Sequence, residues 1–301
     1  MKKQNDFTKI LNPSVIAKLK TLELKASTVV EGFMVGYHKS PYHGFSVEFS
    51  QHRPYMQGDS IKNLDWKVFA KSEKYFIKQY EEETNLLAHI VLDTSRSMSY
   101  KNEGSVSKFE YSKVLAASFI YLLLKQQDAV GLALYSSELK SYLQPKSKRT
   151  YLRQLLTEIE KFDAQSETKT STSINSIAEK ITKRGLVIII SDLLDEPAEI
   201  LNSLKKFYFK KNEVIIFHVL DPTEINFNFK NDSIFVDLET NEELNTQPIQ
   251  IQKSYYEAMQ NYLTTIKNGC NKLGYDYNLI ETTSTYDIAL MNFFKKRSRM
   301  K

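Results

Sequence analysis

The feature that most constrains the fold is an alternation that begins at Asn85 and runs almost to the end of the chain. Short apolar runs at 86–92, 129–135, 186–190, 214–220 and, more weakly, 275–280 are separated by helical patterns at about 107–126, 148–161, 173–183, 197–208, 254–273 and 285–297. Strands written as continuous apolar runs need cover on both faces, and strands joined through helices pair in parallel. The pattern predicts an α/β fold with a doubly wound, mostly parallel sheet in a three-layer, Rossmann-like arrangement. Helix start signals support it: Ser107 with Glu110 and Ser254 with Glu257 fit the capping box, and Asp195 stands just before Pro197. Gly274 is placed to stop the helix that carries Cys270. Residues 138–143 are expected to pair with the second strand as an antiparallel edge, and residues 222–252 to form a β-rich excursion.

Residues 1–85 follow a different pattern and are expected to form an N-terminal α+β extension to the 86–301 domain. A first helix is predicted from Asn12 as N-cap and Pro13 as first helical residue, turning Val15, Ile16, Leu19 and Leu22 inward. Around His38, Pro41, His43 and Gly44 the chain reads as extended, with a strand at 45–49. Gly58-Asp59 reads as a turn, 60–70 as a short helix carrying Leu64, Trp66 and Phe69, and 74–80 as a strand before Glu81, Glu82 and Glu83.

A chain of 301 residues with 42% hydrophobic and 12% aromatic residues can bury a substantial core. Its net charge of +5 is spread out, and the basic end with Lys295, Lys296, Arg297, Arg299 and Lys301 reads as solvated, so no nucleic-acid partner is expected. The single cysteine, Cys270, is read as core packing. No apolar run approaches the roughly 18 residues of a membrane span, and Lys2 and Lys3 are followed by polar residues; the expectation is an unanchored cytoplasmic protein. The five histidines are scattered, which argues against a His-based metal centre. Neither a GxxxxGK[ST] nor a GxGxxG loop is present.

The stretch LLAHIVLDTSRSM at 86–98 carries the chemistry. An apolar run ends in Asp93 and then offers hydroxyls at Ser95 and Ser97. Oxygen donors so grouped, with no His or Cys beside them, suit a hard divalent cation, Mg²⁺ or Mn²⁺. Two later runs also end in acids, Asp192 and Asp221, and in a parallel sheet ligands bind beyond the carboxyl ends of the strands. Asp221, followed by Pro222, is read as a turn acid and left out of the metal shell.

Asp93-Thr94-Ser95-Arg96-Ser97 resembles the DxSxS motif of von Willebrand factor A (vWA) domains. Their metal-ion-dependent adhesion site (MIDAS) adds a threonine from a later loop and an aspartate from a later strand end. The resemblance implies Thr172, within Thr170-Ser171-Thr172-Ser173, and Asp192 for those roles, giving the metal set Asp93, Ser95, Ser97, Thr172 and Asp192; the choice among the four neighbouring hydroxyls stays open. Arg53-Pro54-Tyr55, Gly58-Asp59, Leu64-Asp65-Trp66, Ile77-Lys78 and Glu81-Glu82-Glu83, leading into the DxSxS strand, are similar to the DUF58 family of bacteria and archaea. The vWA resemblance implies a non-enzymatic interaction module capturing a partner carboxylate through the metal, and the DUF58 resemblance implies a MoxR-type AAA+ ATPase as expected partner in protein assembly or maturation. Arg53, Asp59 and Asp65 are expected to form a polar network that fixes the N-terminal segment. The competing reading is a haloacid-dehalogenase-like Mg²⁺-dependent phosphoesterase. That chemistry requires a second acid two residues after the first, and Ser95 stands there.

Overall fold

The computed structural model describes residues 11–38, 52–54, 69, 75–78, 86–102, 106–164, 170–229, 233–236, 243–246 and 248–299. The chain divides into two compact units, residues 1–42 with 86–301, and residues 43–85. The larger unit is a six-stranded sheet between helices, the α/β arrangement expected. Its strands are β3 (Leu87–Asp93), β4 (Ala129–Tyr135), β5 (Leu139–Lys146), β6 (Leu186–Ser191), β7 (Glu213–Leu220) and β10 (Asp276–Glu281). They lie in the order β10-β7-β6-β3-β4-β5, all neighbours parallel except the antiparallel β4–β5 edge. From β3 the chain builds outward to β4 and β5; it then returns to β6 on the other side of β3 and builds outward again. The crevice beyond the ends of β3 and β6 is therefore the topological switch point.

Both faces are covered. Helices α5 (Thr170–Lys180), α6 (Pro197–Phe209) and α8 (Pro248–Lys272) bury Ile174, Ile177, Leu204, Phe207, Ile266 and Cys270 in one apolar cluster with Val91, Val187, Ile189 and Ile216 of the strands. Cys270 is core packing as expected, and burial pushes its thiol up to about 12. On the other face lies α3 (Lys108–Lys125), whose Phe119 stacks on Phe217 of β7 and meets Phe293 of α9 (Tyr286–Arg299).

Three expectations need correction. The first helix is only one turn, α1 (Pro13–Ile16), and is followed by α2 (Leu22–His38), where the sequence reads as extended before His38. The β-branched Thr28, Val29 and Val30 with Gly32 and Gly36 argue locally against helix, but Leu22, Ala26, Val29, Val30 and Phe33 are buried at helical spacing, and that burial prevails. The long helix α8 starts at Pro248, so Ser254 and Glu257 sit inside it rather than capping it. The basic end is not simply solvated, because Lys296 lies 3.1 Å from Asp276 and Arg297 2.8 Å from Asp128.

Short elements complete the picture. A 3-10 turn spans Arg96–Ser99, α4 spans Tyr151–Glu160 and α7 spans Pro222–Asn226. Within 222–252, β8 (Ser233–Val236) pairs antiparallel with β9 (Glu243–Thr246). In the smaller unit β1 (His52–Pro54) pairs antiparallel with β2 (Phe76–Lys78), and Phe69 is helical and stacks on Tyr75. The strand expected at 45–49, the turn at Gly58-Asp59, most of the 60–70 helix and the network of Arg53, Asp59 and Asp65 lie outside what is described.

Candidate metal-binding rim at the switch point

Strand β3 carries Asp93 to the sheet's carboxyl edge and leaves it fully buried. The loop beyond is pinned to the neighbouring strand end, because the backbone N–H and the hydroxyl of Thr94 both donate to the Tyr135 carbonyl, at 2.7 and 2.8 Å. The chain then turns back on Asp93: the Ser95 N–H donates to its Oδ1 at 2.9 Å, while the Ser191 hydroxyl at the end of β6 donates to Oδ2 at 2.6 Å. Ser95 is buried and starts the 3-10 turn, which brings its hydroxyl 3.1 Å from that of half-buried Ser97. Asp192, the fully buried residue that follows β6, lies close to both: its charge acts on Asp93, and Ser97 helps to hold its own carboxyl below the usual range. Four of the five residues expected at the site, Asp93, Ser95, Ser97 and Asp192, thus form one connected group.

Thr172 is not part of that group; it is exposed in the first turn of α5. Its neighbours are engaged elsewhere. Ser171 donates from its N–H to Asp195 and from its hydroxyl to Glu199, both at 3.2 Å, and the Ser173 hydroxyl donates to the Ser136 carbonyl at 2.8 Å. Thr170 is fully buried and its hydroxyl has no hydrogen-bond partner among the described residues.

A group absent from the sequence reading stands at the centre. Lys108, the first residue of α3, is completely buried, with its ammonium 2.8 Å from Asp192 Oδ2 and 2.6 Å from Glu224 Oε1. Ser107 holds it there through the expected capping box with Glu110. Asp221 caps α7 and, with Glu224, forms a second capping box, which agrees with its reading as a turn acid. The Asp221-x-x-Glu224 spacing is a sequence signal for Glu224's position. For Lys108 there was none, since a lysine in a first helical turn is ordinarily solvated and lysine is almost never fully buried unless paired.

The electrostatics follow from burial and these pairings. Burial, reinforced by the nearby Asp192 charge, pushes the Asp93 carboxyl up to about 7 against the opposing hydrogen bonds from Ser191 and Ser95. Burial also works to raise Asp192, but the charge and hydrogen bond of Lys108 outweigh it and hold this carboxyl below its usual range. For Lys108, burial favours the neutral amine, yet the two carboxylates prevail and raise its pKa.

A hard cation fits the donor set. All the donors are oxygens, and the 3.1 Å between the Ser95 and Ser97 hydroxyls is close to the edge of an octahedron, about 3.0 Å for metal–oxygen bonds of about 2.1 Å. A divalent charge here would also favour the ionised form of Asp93, which burial and the nearby Asp192 charge disfavour. No three His, Cys, Asp or Glu side chains form a metal-binding cluster among the described residues, so the hydroxyls and water would have to supply much of the shell.

A family model described as "Protein of unknown function DUF58" matches residues 51–263. The chain belongs to the DUF58 family. Relatives of this DUF58 chain include uncharacterised proteins of Mycobacterium tuberculosis and Mycobacterium bovis, each 24% identical over 233 residues, covering 76% of this chain and 72% of theirs. Solved structures similar to this DUF58 member include the conserved hypothetical protein BatB from Bacteroides thetaiotaomicron, with 16% identity, 71% of this chain and 98% of that one covered, and a TM-score of 0.48. The SpRpn10 VWA domain is another, with 14% identity, 69% and 95% coverage, and a TM-score of 0.42. Among the described residues of the DUF58 chain, no helix is long and apolar enough to cross a membrane.

Proposed function

We propose that this protein is a non-enzymatic interaction module that uses a divalent cation, Mg²⁺ or Mn²⁺, to capture an acidic side chain of a protein partner. The observation that carries the reading is the pair of serine hydroxyls 3.1 Å apart at the switch point, beside two fully buried aspartates, one of which accepts the Ser95 N–H at 2.9 Å. Neutral hydroxyls do not cancel a cation's charge, so an ion held partly by them retains attraction for a further carboxylate. When bound, the ion supplies that attraction. Asp93 orients the loop by accepting the Ser95 N–H, Asp192 adds a buried carboxylate close by, and half-buried Ser97 marks the side open to a partner.

Thr172 remains the loop ligand implied by the vWA resemblance, and its exposure leaves its hydroxyl accessible. Thr170 competes for the role because its buried hydroxyl has no hydrogen-bond partner among the described residues. Comparing Thr170→Val with Thr172→Val decides between them: only the variant that removes a ligand weakens Mn²⁺ binding. Hydrolysis of a phosphoester is disfavoured because the residue two places after Asp93 is a hydroxyl whose oxygen faces Ser97, with no acid there to protonate a leaving group.

The partner expected from DUF58 membership is a MoxR-type AAA+ ATPase, acting with this protein in the assembly or maturation of other proteins, in the cytoplasm of a bacterial cell. An affinity pull-down with the parent protein should recover such an ATPase in Mg²⁺ and lose it in EDTA or in Asp93→Ala. Equal recovery in all three conditions would reject a metal-dependent grip.

A further inference from the structure

The buried ammonium of Lys108 serves none of the roles assigned so far. It sits on Asp192, a residue of the proposed metal site, and it also holds a second acid, Glu224, at 2.6 Å. We infer that Lys108 is a built-in counter-cation that competes with the divalent ion for Asp192 and retreats onto Glu224 when the ion binds. The inference rests on the metal-binding reading of Asp93 and Asp192 and adds to it a residue that tunes the affinity.

Three features of the geometry support it. First, an unpaired carboxylate buried as deeply as Asp192 is strongly destabilising, so an ion-free site needs a resident positive charge, and Lys108 provides one. Second, Glu224 lets the ammonium leave Asp192 without losing its own compensation. Glu224 is itself fixed, its Oε2 accepting the Asp221 N–H at 2.8 Å, and its carbonyl accepts the Tyr255 hydroxyl of α8 at 2.9 Å. Third, the ammonium already touches both acids, 2.8 Å from Asp192 and 2.6 Å from Glu224, so releasing Asp192 requires no new partner. Lysine suits the role better than arginine, because a compact ammonium on a flexible stem can shift between two single acceptors, whereas a planar guanidinium favours one fixed, bidentate partner.

The competition predicts opposite effects on either side of Lys108. Mn²⁺ binding, followed by calorimetry and by electron paramagnetic resonance of free Mn²⁺, should be about tenfold or more tighter in Lys108→Met than in the parent, because Asp192 is left uncompensated. In Glu224→Gln the ammonium belongs to Asp192 alone, and binding should be several-fold weaker. Lys108→Met should also melt lower than the parent without metal and recover most of that deficit in saturating Mn²⁺. If Lys108→Met folds only when Mn²⁺ is present, that result supports the inference in the same way. Mn²⁺ affinity unchanged or weakened in Lys108→Met, a melting deficit that Mn²⁺ does not reduce, or unchanged affinity in Glu224→Gln would each overturn it. Asp93→Ala separates this failure from failure of the site itself. If Asp93→Ala abolishes binding while Lys108→Met leaves it unchanged, only the role of Lys108 is lost; if Asp93→Ala binds Mn²⁺ as the parent does, the metal site is wrong.

Discussion

Ser191 links the two strands that meet at the site, and its hydroxyl works twice: it donates to Asp93 at 2.6 Å and accepts the Leu193 N–H at 2.9 Å. Leu193 has φ +48, a left-handed conformation that a branched side chain adopts only when its surroundings impose it. Ser191→Ala removes both bonds inside a buried site and should cost about 2–3 kcal/mol in urea unfolding. His89 offers a second test at this scale. Buried in β3, its ring is held neutral, with its pKa pushed down to about 4. The unfolded chain binds a proton there below about pH 6.5 and the folded chain does not, so stability falls as pH drops from about 6.5 towards 4, by up to about 1.4 kcal/mol per pH unit. Asp93, raised to about 7, works in the opposite sense, so the informative quantity is the difference between parent and His89→Leu, in which Asp93 cancels. His89→Leu should show the shallower acid loss; parallel curves would mean that His89 is not held neutral. Asp93, Ser95, Ser97 and Asp192 were legible as sequence because a strand end shows itself in an apolar run that stops. Lys108 was not, because its burial depends on α7 arriving from more than a hundred residues away.

Helix α2 shows where element-scale reading ran out. Its composition argues locally for extended chain, and its helical character appears only once α3 and α9 are there to cover Val29, Val30 and Phe33. Phe33 stacks on Phe294 of α9, ring centroids 5.4 Å apart. Phe33→Ala should therefore cost about 3–5 kcal/mol in chemical denaturation, as a buried aromatic truncation does. A loss below about 1 kcal/mol would mean that α2 is not part of the core. The central strands were readable to within a residue because a buried parallel strand carries its burial in its own letters. The start of α8 was not, because Pro248 opens a helix six residues before the capping box that seemed to mark it.

At the scale of the whole molecule, the order β10-β7-β6-β3-β4-β5 puts the one reversal of direction between β3 and β6, and both proposed aspartates follow from those two strands. The alternation of runs and helices foretold this three-layer sheet. It did not foretell how the first 85 residues divide, since residues 1–42 group with the sheet and only 43–85 form the second unit. The family match, over residues 51–263, includes parts of both. What makes the larger unit a candidate for gripping a partner is the convergence of buried acids, paired hydroxyls and one buried ammonium at that reversal. The most direct test is a thermal-melt titration of the parent protein and Asp93→Ala with Mg²⁺. Binding to the folded state alone should stabilise the parent by about 2.7 kcal/mol at one hundred times the dissociation constant, a shift of several degrees, and leave Asp93→Ala unmoved. Equal shifts in both proteins, or none in the parent at any Mg²⁺ concentration, would contradict a metal site built on Asp93.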